Sequence, residues 1–369
     1  MSPRPGNEAE LVELLSAPGP AFELLAGGTK RGIGKPVDAA LLDLSALSGI
    51  VDYQPGELVL TARPATAVAE IEALLAGQRQ RLAFEPPRAS FQDATRSQTL
   101  GGVLMANSSG SRRVTAGSAR DHFIGLRAVN GRGEAFVGGG RVVKNVTGFD
   151  LPKALSGSWG TLAVLTEVTV RLVPAAEFEC TLLFAPAAVA QAIALCSHAL
   201  GSMFEVSSAA FLPTRGTALR LEGLATSVQS RVAGLLAALN HTPVAVLQEA
   251  DSAACWQQLG AVASLARFPV IWRVSVPPGQ AARIVEEIAP EDFQLDWGGG
   301  LIWIGARQVD AQRVRAALRG GHATLVKAPV SERRTNSVFE PQPPAIAAVA
   351  ARFKAAFDPD DRLNPGRMN

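Results

Sequence analysis

The spacing of apolar residues changes period several times along the chain, and each change predicts an element. Residues 7–16 (NEAELVELLS) space apolar side chains helically, and Ala17-Pro18-Gly19-Pro20 breaks that helix. Residues 22–26 form a short apolar strand that runs into a polar, glycine-rich loop at 27–34. Strands are predicted at 40–44 and 58–63, and Val68, Ile71, Leu74 and Leu75 place one apolar face on a helix at 66–77. The stretch 99–140 has little helical periodicity. At 161–173 (TLAVLTEVTVRLV) alternation returns, which reads as one long strand or two joined ones.

Pro174-Ala175-Ala176 is the best domain boundary. Beyond it, helical patterns at 187–200, 227–239 and 280–288 alternate with strand-like pieces at 179–184, 217–222, 269–276 and 301–305. Strands alternating with helices predict a compact α+β second domain. A helix near 344–356 precedes a terminal turn at Asn364-Pro365-Gly366.

Composition changes this picture in one place. Hydrophobic residues are 47% and charged residues 18% of 369, enough for two packed domains. Thirty-five Lys+Arg against 33 Asp+Glu leave a net charge of +2, which gives no electrostatic reason to expect nucleic acid or a membrane. Glycine is uneven: 13 of the 35 fall between Gly101 and Gly160. That density marks backbone in unusual conformations or in close approach to something.

Candidate chemistry narrows by exclusion. Cys180, Cys196 and Cys255 are scattered, so cluster binding and a disulfide framework lack ligands, and the thiols fit a reducing cytoplasm. The N-terminus has no apolar signal core, and no run approaches a membrane span. Gly28 to Gly34 has the wrong spacing for a P-loop, with Pro36 where Ser or Thr would follow Lys35. Gly32-Ile33-Gly34 lacks the third glycine of a dinucleotide fingerprint. His122, His198, His241 and His322 show no metal-ligand spacing. What remains is the loop with Thr29, Lys30 and Arg31, able to cradle an anion on backbone N–H groups, or else a plain hairpin loop.

Taken in order, GGTKRGIG at 27–34, TLGGVLMANSSG at 99–110, GSARDHFIGLRAVNGRGE at 117–134, the run 142–174 and NPGRM at 364–368 resemble the PCMH-type FAD-binding family of vanillyl-alcohol oxidase. DWGGGLIWI at 296–304 and GGHATLV at 320–326 extend the resemblance to the E-subunit family of bacterial glycolate oxidases. The resemblance implies an α+β fold: a two-part FAD-binding domain at 1–174, a smaller α+β cap at 175–330, and a segment at 331–369 that packs back on the first domain. It implies FAD, held non-covalently, since the first loop offers neither His nor Cys.

By the same resemblance, Gly27, Gly28, Thr29, Lys30, Arg31 and Gly32 would hold the pyrophosphate. Thr99, Leu100, Gly101 and Gly102 would lie along the ribityl and flavin, with Asn107 and Gly110 following. Gly117, Ser118 and Asp121 would line the other side, Gly160 to Val164 the adenosine half, and Asn364 and Gly366 the flavin end. The implied activity is oxidation of glycolate to glyoxylate, with a larger FAD-binding paralogue and an iron–sulfur subunit as partners. That paralogue carries a histidine-rich substrate motif, where this chain has His322 alone.

A non-catalytic flavin-binding or scaffold subunit, and a free-standing oxidase of another hydroxy acid, are the alternatives. Lys144 and Asn145 are expected to order the cofactor site, Arg120 and Asp121 to form a salt bridge or bind cofactor, and Arg333 and Arg334 to sit solvated. Trp297 and Trp303 are expected in the second domain's core.

Overall fold

The computed structural model describes residues 2–89, 95–140 and 149–368. It is α+β, with two antiparallel sheets that divide the strands by position in the chain. The first has five strands in the order Ile50–Gln54, Val59–Ala62, Ala163–Arg171, Phe123–Asn130, Ala135–Gly139. Strand 163–171 is buried on both faces: Leu165 and Val168 enter one core, and Val164 enters another with Leu11 and Leu15. Leu60, Leu126, Leu165 and Val168 share one core with Val68, Ile71 and Leu75 of helix Val68–Ala76. Alongside, Phe22–Leu25 pairs in parallel with Ala40–Asp43. Helix Glu8–Ser16, capped by the Asn7 side chain, covers that pair through Leu11 and Leu15.

The second sheet has eight strands, from Ala245–Gln248 at one edge through Phe178–Phe184, Gly216–Gly223, Val206–Leu212, Asp292–Asp296, Leu301–Ala306 and Val270–Ser275 to His322–Lys327. Helices Val189–Leu200, Ala225–Leu239 and Ala281–Ile288 pack against it. Four of these strands and helix Glu249–Gly260 escape the sequence reading. Their apolar residues are short runs or mixed with polar ones, so periodicity is weak. Cys180 and Cys196 are buried, and burial pushes the Cys196 thiol up to about 12.

The stretch 99–140 is not free of helix: Leu100–Met105, Arg113–Ala116 and Ala119–His122 precede two strands. These helices have four to six residues, too short to show a 3.6-residue period. Trp297 and Trp303 are buried among second-region residues, as expected. They form a separate apolar layer with Ile33, Val262, Leu265, Phe268, Ile271, Leu301 and Val326, and Trp159 of the first region packs on it. The layer joins the two sheets, so both indoles serve contact between regions.

Candidate functional site

The glycine loop starts where strand Phe22–Leu25 ends. Gly27 is required by proximity, since a Cβ there would lie 1.9 Å from the Ser97 carbonyl oxygen. Gly28 has φ +73°, a left-handed conformation that other residues adopt only with strain. Among the described residues, no group accepts from the N–H groups of Gly27, Gly28, Thr29 or Lys30. Four consecutive unclaimed donors form the kind of concavity that takes an anion.

This loop is one wall of an open cleft. Its opposite walls come from Thr99, Gly101, Gly102 and Met105, from Gly160, Val164 and Leu165, and from Asn364 and Arg367. Gly101 lies so close to Pro64 that a Cβ would meet the Pro64 side chain at 2.6 Å. The N–H groups here are already used: Leu100 donates to Thr66, Gly101 to Pro64, and Gly102 to the Thr99 hydroxyl. This segment therefore offers a close, smooth wall and not a set of donors.

Lys30 is the exceptional side chain. It borders the cleft, is 8% exposed, and its Nζ has no hydrogen-bond partner. Burial alone drives its pKa down to about 8. A buried ammonium without a partner costs several kcal/mol unless an anion joins it. Arg31 differs: it forms a two-point pair with Glu23, at 2.8 Å and 2.5 Å.

The far end of the chain fixes this loop. Asn364 accepts from the Leu24 N–H at 2.9 Å and donates to the Trp159 carbonyl at 2.8 Å. Arg367 donates to the carbonyls of Lys30 and Ile33 at 2.9 Å and 2.8 Å, and Arg333 to that of Gly34 at 2.9 Å. Arg333 and Arg334 are thus not a solvated pair. Arg333 is buried against the loop, and Arg334 binds Asp38 at 2.6 Å. Sequence spacing could not reveal a contact between residues about three hundred positions apart.

The remaining sequence candidates lie off this wall. Gly32 borders an adjoining cleft with Arg96, Lys327 and Arg333, and Gly366 a third one with Lys35 and Arg334. Leu100 is fully buried in the core. Asn107 accepts from the Arg120 N–H at 3.1 Å, and Gly110 from the Trp297 indole at 3.0 Å. Asp121 accepts at 2.8 Å from both the N–H and the hydroxyl of Ser118, which follows Gly117. Burial would raise the Asp121 carboxyl, but those bonds hold it below the usual carboxylate range. Arg120 and Asp121 form no ion pair. Lys144 and Asn145 lie outside the described residues.

The comparisons fit this geometry. The family model described as an FAD binding domain matches residues 4–139, which include the glycine loop and the 99–102 wall. Glycolate oxidase subunit GlcE of Escherichia coli (strain K12) is 32% identical over 351 residues, covering 92% of this chain and 90% of that protein. The chain belongs to the GlcE family of FAD-linked oxidoreductases. Glycolate oxidase subunit GlcD of Bacillus subtilis (strain 168) is 33% identical over 160 residues, 43% of this chain and 32% of GlcD. In overall shape the chain is similar to an alkyldihydroxyacetonephosphate synthase, with TM-score 0.66 and 14% identity, covering 98% of this chain and 76% of that one. The orphaned Lys30 ammonium and the open donors beside it suit the diphosphate of the family's cofactor, FAD. No helix among the described residues is long and apolar enough to cross a membrane.

Proposed function

We propose that this chain is a cytoplasmic FAD-binding subunit of a complex that oxidises glycolate, or a closely similar 2-hydroxy acid, to the 2-oxo acid. The observation that carries the reading is the buried, unpartnered Lys30 in a cleft walled by glycines, in a chain similar to GlcE over 92% of its length. Gly27, Gly28, Thr29 and Lys30 would hold the diphosphate. Thr99, Gly101, Gly102, Gly160 and Val164 would let the cofactor's flat parts approach the backbone. Asn364 and Arg367 would keep the loop shut from outside. With neither His nor Cys in 27–34, binding would be non-covalent.

When bound, FAD supplies a two-electron acceptor for turning CH–OH into C=O. The chain's own residues bind and orient it and exclude water. Met105, Trp159 and Leu165 line the cleft with apolar surface, and Lys30 keeps its proton beside the diphosphate. Electrons would then pass to an iron–sulfur partner, with a larger FAD-binding paralogue beside it. A second reading, a subunit that holds FAD without oxidising substrate, draws on the solitary His322 in 320–326.

The visible spectrum of the purified full chain, taken without oxygen before and after glycolate, separates the readings. Bound FAD that bleaches is the expected result. Bound FAD that does not bleach favours the second reading, and a colourless protein that takes up no FAD overturns both.

A further inference from the structure

Two arginines on the apolar layer between the sheets have no ion pair among the described residues, although Asp121 and Asp296 lie near enough to act on their charge. Arg113, on the short helix Arg113–Ala116, stacks over the Trp297 ring with its guanidinium carbon 4.4 Å from the centroid. Arg273, on strand Val270–Ser275, approaches the same ring at 5.1 Å and that of Trp303 at 5.9 Å. The two cations therefore share one indole. Among the described residues, neither has a carboxylate within 4.0 Å or a side-chain hydrogen bond, although Arg112, Arg220 and Arg231 nearby in the chain or sheet are all ion-paired. Burial and the Arg113 charge lower Arg273 to about 10 against the pull of Asp296, and burial lowers Arg113 against that of Asp121.

The strand register shows what surrounds them. Arg273 lies opposite Trp303 on one side and Thr324 on the other, and Ser275, two positions along the same face, lies opposite His322. In an antiparallel sheet those residues project from one face. It is the face that carries the Trp297 and Trp303 layer, on which Trp159 from the cleft wall packs. Two guanidinium groups thus meet on this indole layer, with a hydroxyl-bearing threonine and an imidazole on the same sheet face, and Trp159 ties the layer to the cleft wall. Planar forks of this kind match a carboxylate, and a desolvated pair strengthens the match.

We infer that Arg113 and Arg273 form a carboxylate-binding subsite for the small 2-hydroxy acid, and for the 2-oxo acid it becomes. The inference rests on the proposed oxidation of such an acid. Arg113 comes from the first region and Arg273 from the second, so the subsite exists only while the two are in contact. An alcohol without a carboxylate would leave both cations unpaired and bind poorly.

The test titrates the full chain with oxalate, which has the carboxylates and cannot be oxidised in place of glycolate, and reads tryptophan fluorescence from Trp297 and Trp303. Saturable quenching is expected. Arg273→Met and Arg113→Gln should each weaken oxalate binding about 10- to 150-fold, in line with the 1.5–3 kcal/mol of a hydrogen bond to a charged group. Arg273→Lys should recover part of it, and FAD content should stay unchanged in all three. If Arg273→Met does not fold, Arg273→Lys and Arg113→Gln still decide the matter. Absence of oxalate binding in the unaltered chain, or equal binding in variants that keep FAD, overturns the subsite. Failure of glycolate to bleach a chain that binds oxalate through these arginines overturns the proposed oxidation and leaves the subsite standing.

Discussion

Two segments that carry the resemblance, 27–34 with four glycines and 110–121 with two, behave differently in the fold. In the first, four N–H groups and one ammonium have no partner, and the chain's far end clamps the loop from outside. In the second, almost every polar group is answered locally or by the other region. Asp121 is bound by Ser118, Ser111 donates to Asp296 at 2.7 Å, and Arg112 meets Glu85, Glu179 and Glu222 at 2.9, 3.3 and 2.7 Å. Glycine marks close backbone in both. Unsatisfied polarity runs from Gly27 to Lys30 in the first segment and is confined to Arg113 in the second, whose other polar groups join the two sheets.

Arg112→Met should give the largest effect and only on stability. Burial would raise Glu222, but the Arg112 hydrogen bond and the charges of Arg220 and Arg112 hold it far below the ordinary carboxylate range. Removing one partner from such a buried cluster costs about 3–5 kcal/mol. The urea midpoint should fall accordingly, while FAD affinity in the folded fraction changes less than about threefold, near 0.6 kcal/mol. A large loss of FAD affinity at unchanged stability would erase the contrast between the segments.

Lys30→Met should do the opposite. A hydrogen bond to a charged group is worth about 1.5–3 kcal/mol, so the FAD dissociation constant should rise about 10- to 150-fold. Stability of the cofactor-free chain should not fall, because the substitution removes a buried unpaired charge. The pH dependence sharpens this. Below about 8, Lys30 is protonated with or without FAD, and affinity is flat. Above it the free chain loses the proton that the complex retains, so affinity falls by up to about tenfold per pH unit. Lys30→Met should lack that slope in a titration from pH 7 to 10.

Ser118→Ala is a smaller probe of the second segment. It removes the hydroxyl bond to Asp121 and should cost about 1 kcal/mol, seen as a melting temperature lower by a few degrees, with FAD affinity unchanged. A pH-dependent effect belongs to Asp296, whose carboxyl burial pushes up to about 6 against hydrogen bonds from Ser111 and the Trp297 N–H. A carboxyl raised on folding contributes stability that is complete below its unfolded value near 3.8 and is lost as pH rises through about 6. Melting temperature followed from pH 4 to 8 should show this step, and Asp296→Asn should remove it.

Much of the first region was legible without coordinates. Helix 8–16, strand 163–171 and helix 68–76 have clear periods and punctuation, and the loop at 27–34 declared itself by glycine beside Lys and Arg. The short helices at 100–105, 113–116 and 119–122 did not, because four to six residues cannot display a helical repeat. Nor did Arg333, read as solvated from its neighbour Arg334: its burial depends on a loop from the opposite end of the chain.

The sequence by itself determined that the chain folds as α+β, that its glycines mark extended backbone approach, and that its motifs resemble an FAD-binding family. Those properties follow from local spacing and residue type. Only the tertiary structure decided which polar groups are left over. It paired Arg31 with Glu23, Arg112 with three glutamates and Asp121 with Ser118, and left Lys30, Arg113 and Arg273 without an ion pair among the described residues. Whether a charge is satisfied depends on side chains brought together from distant parts of the chain, and spacing carries no record of that.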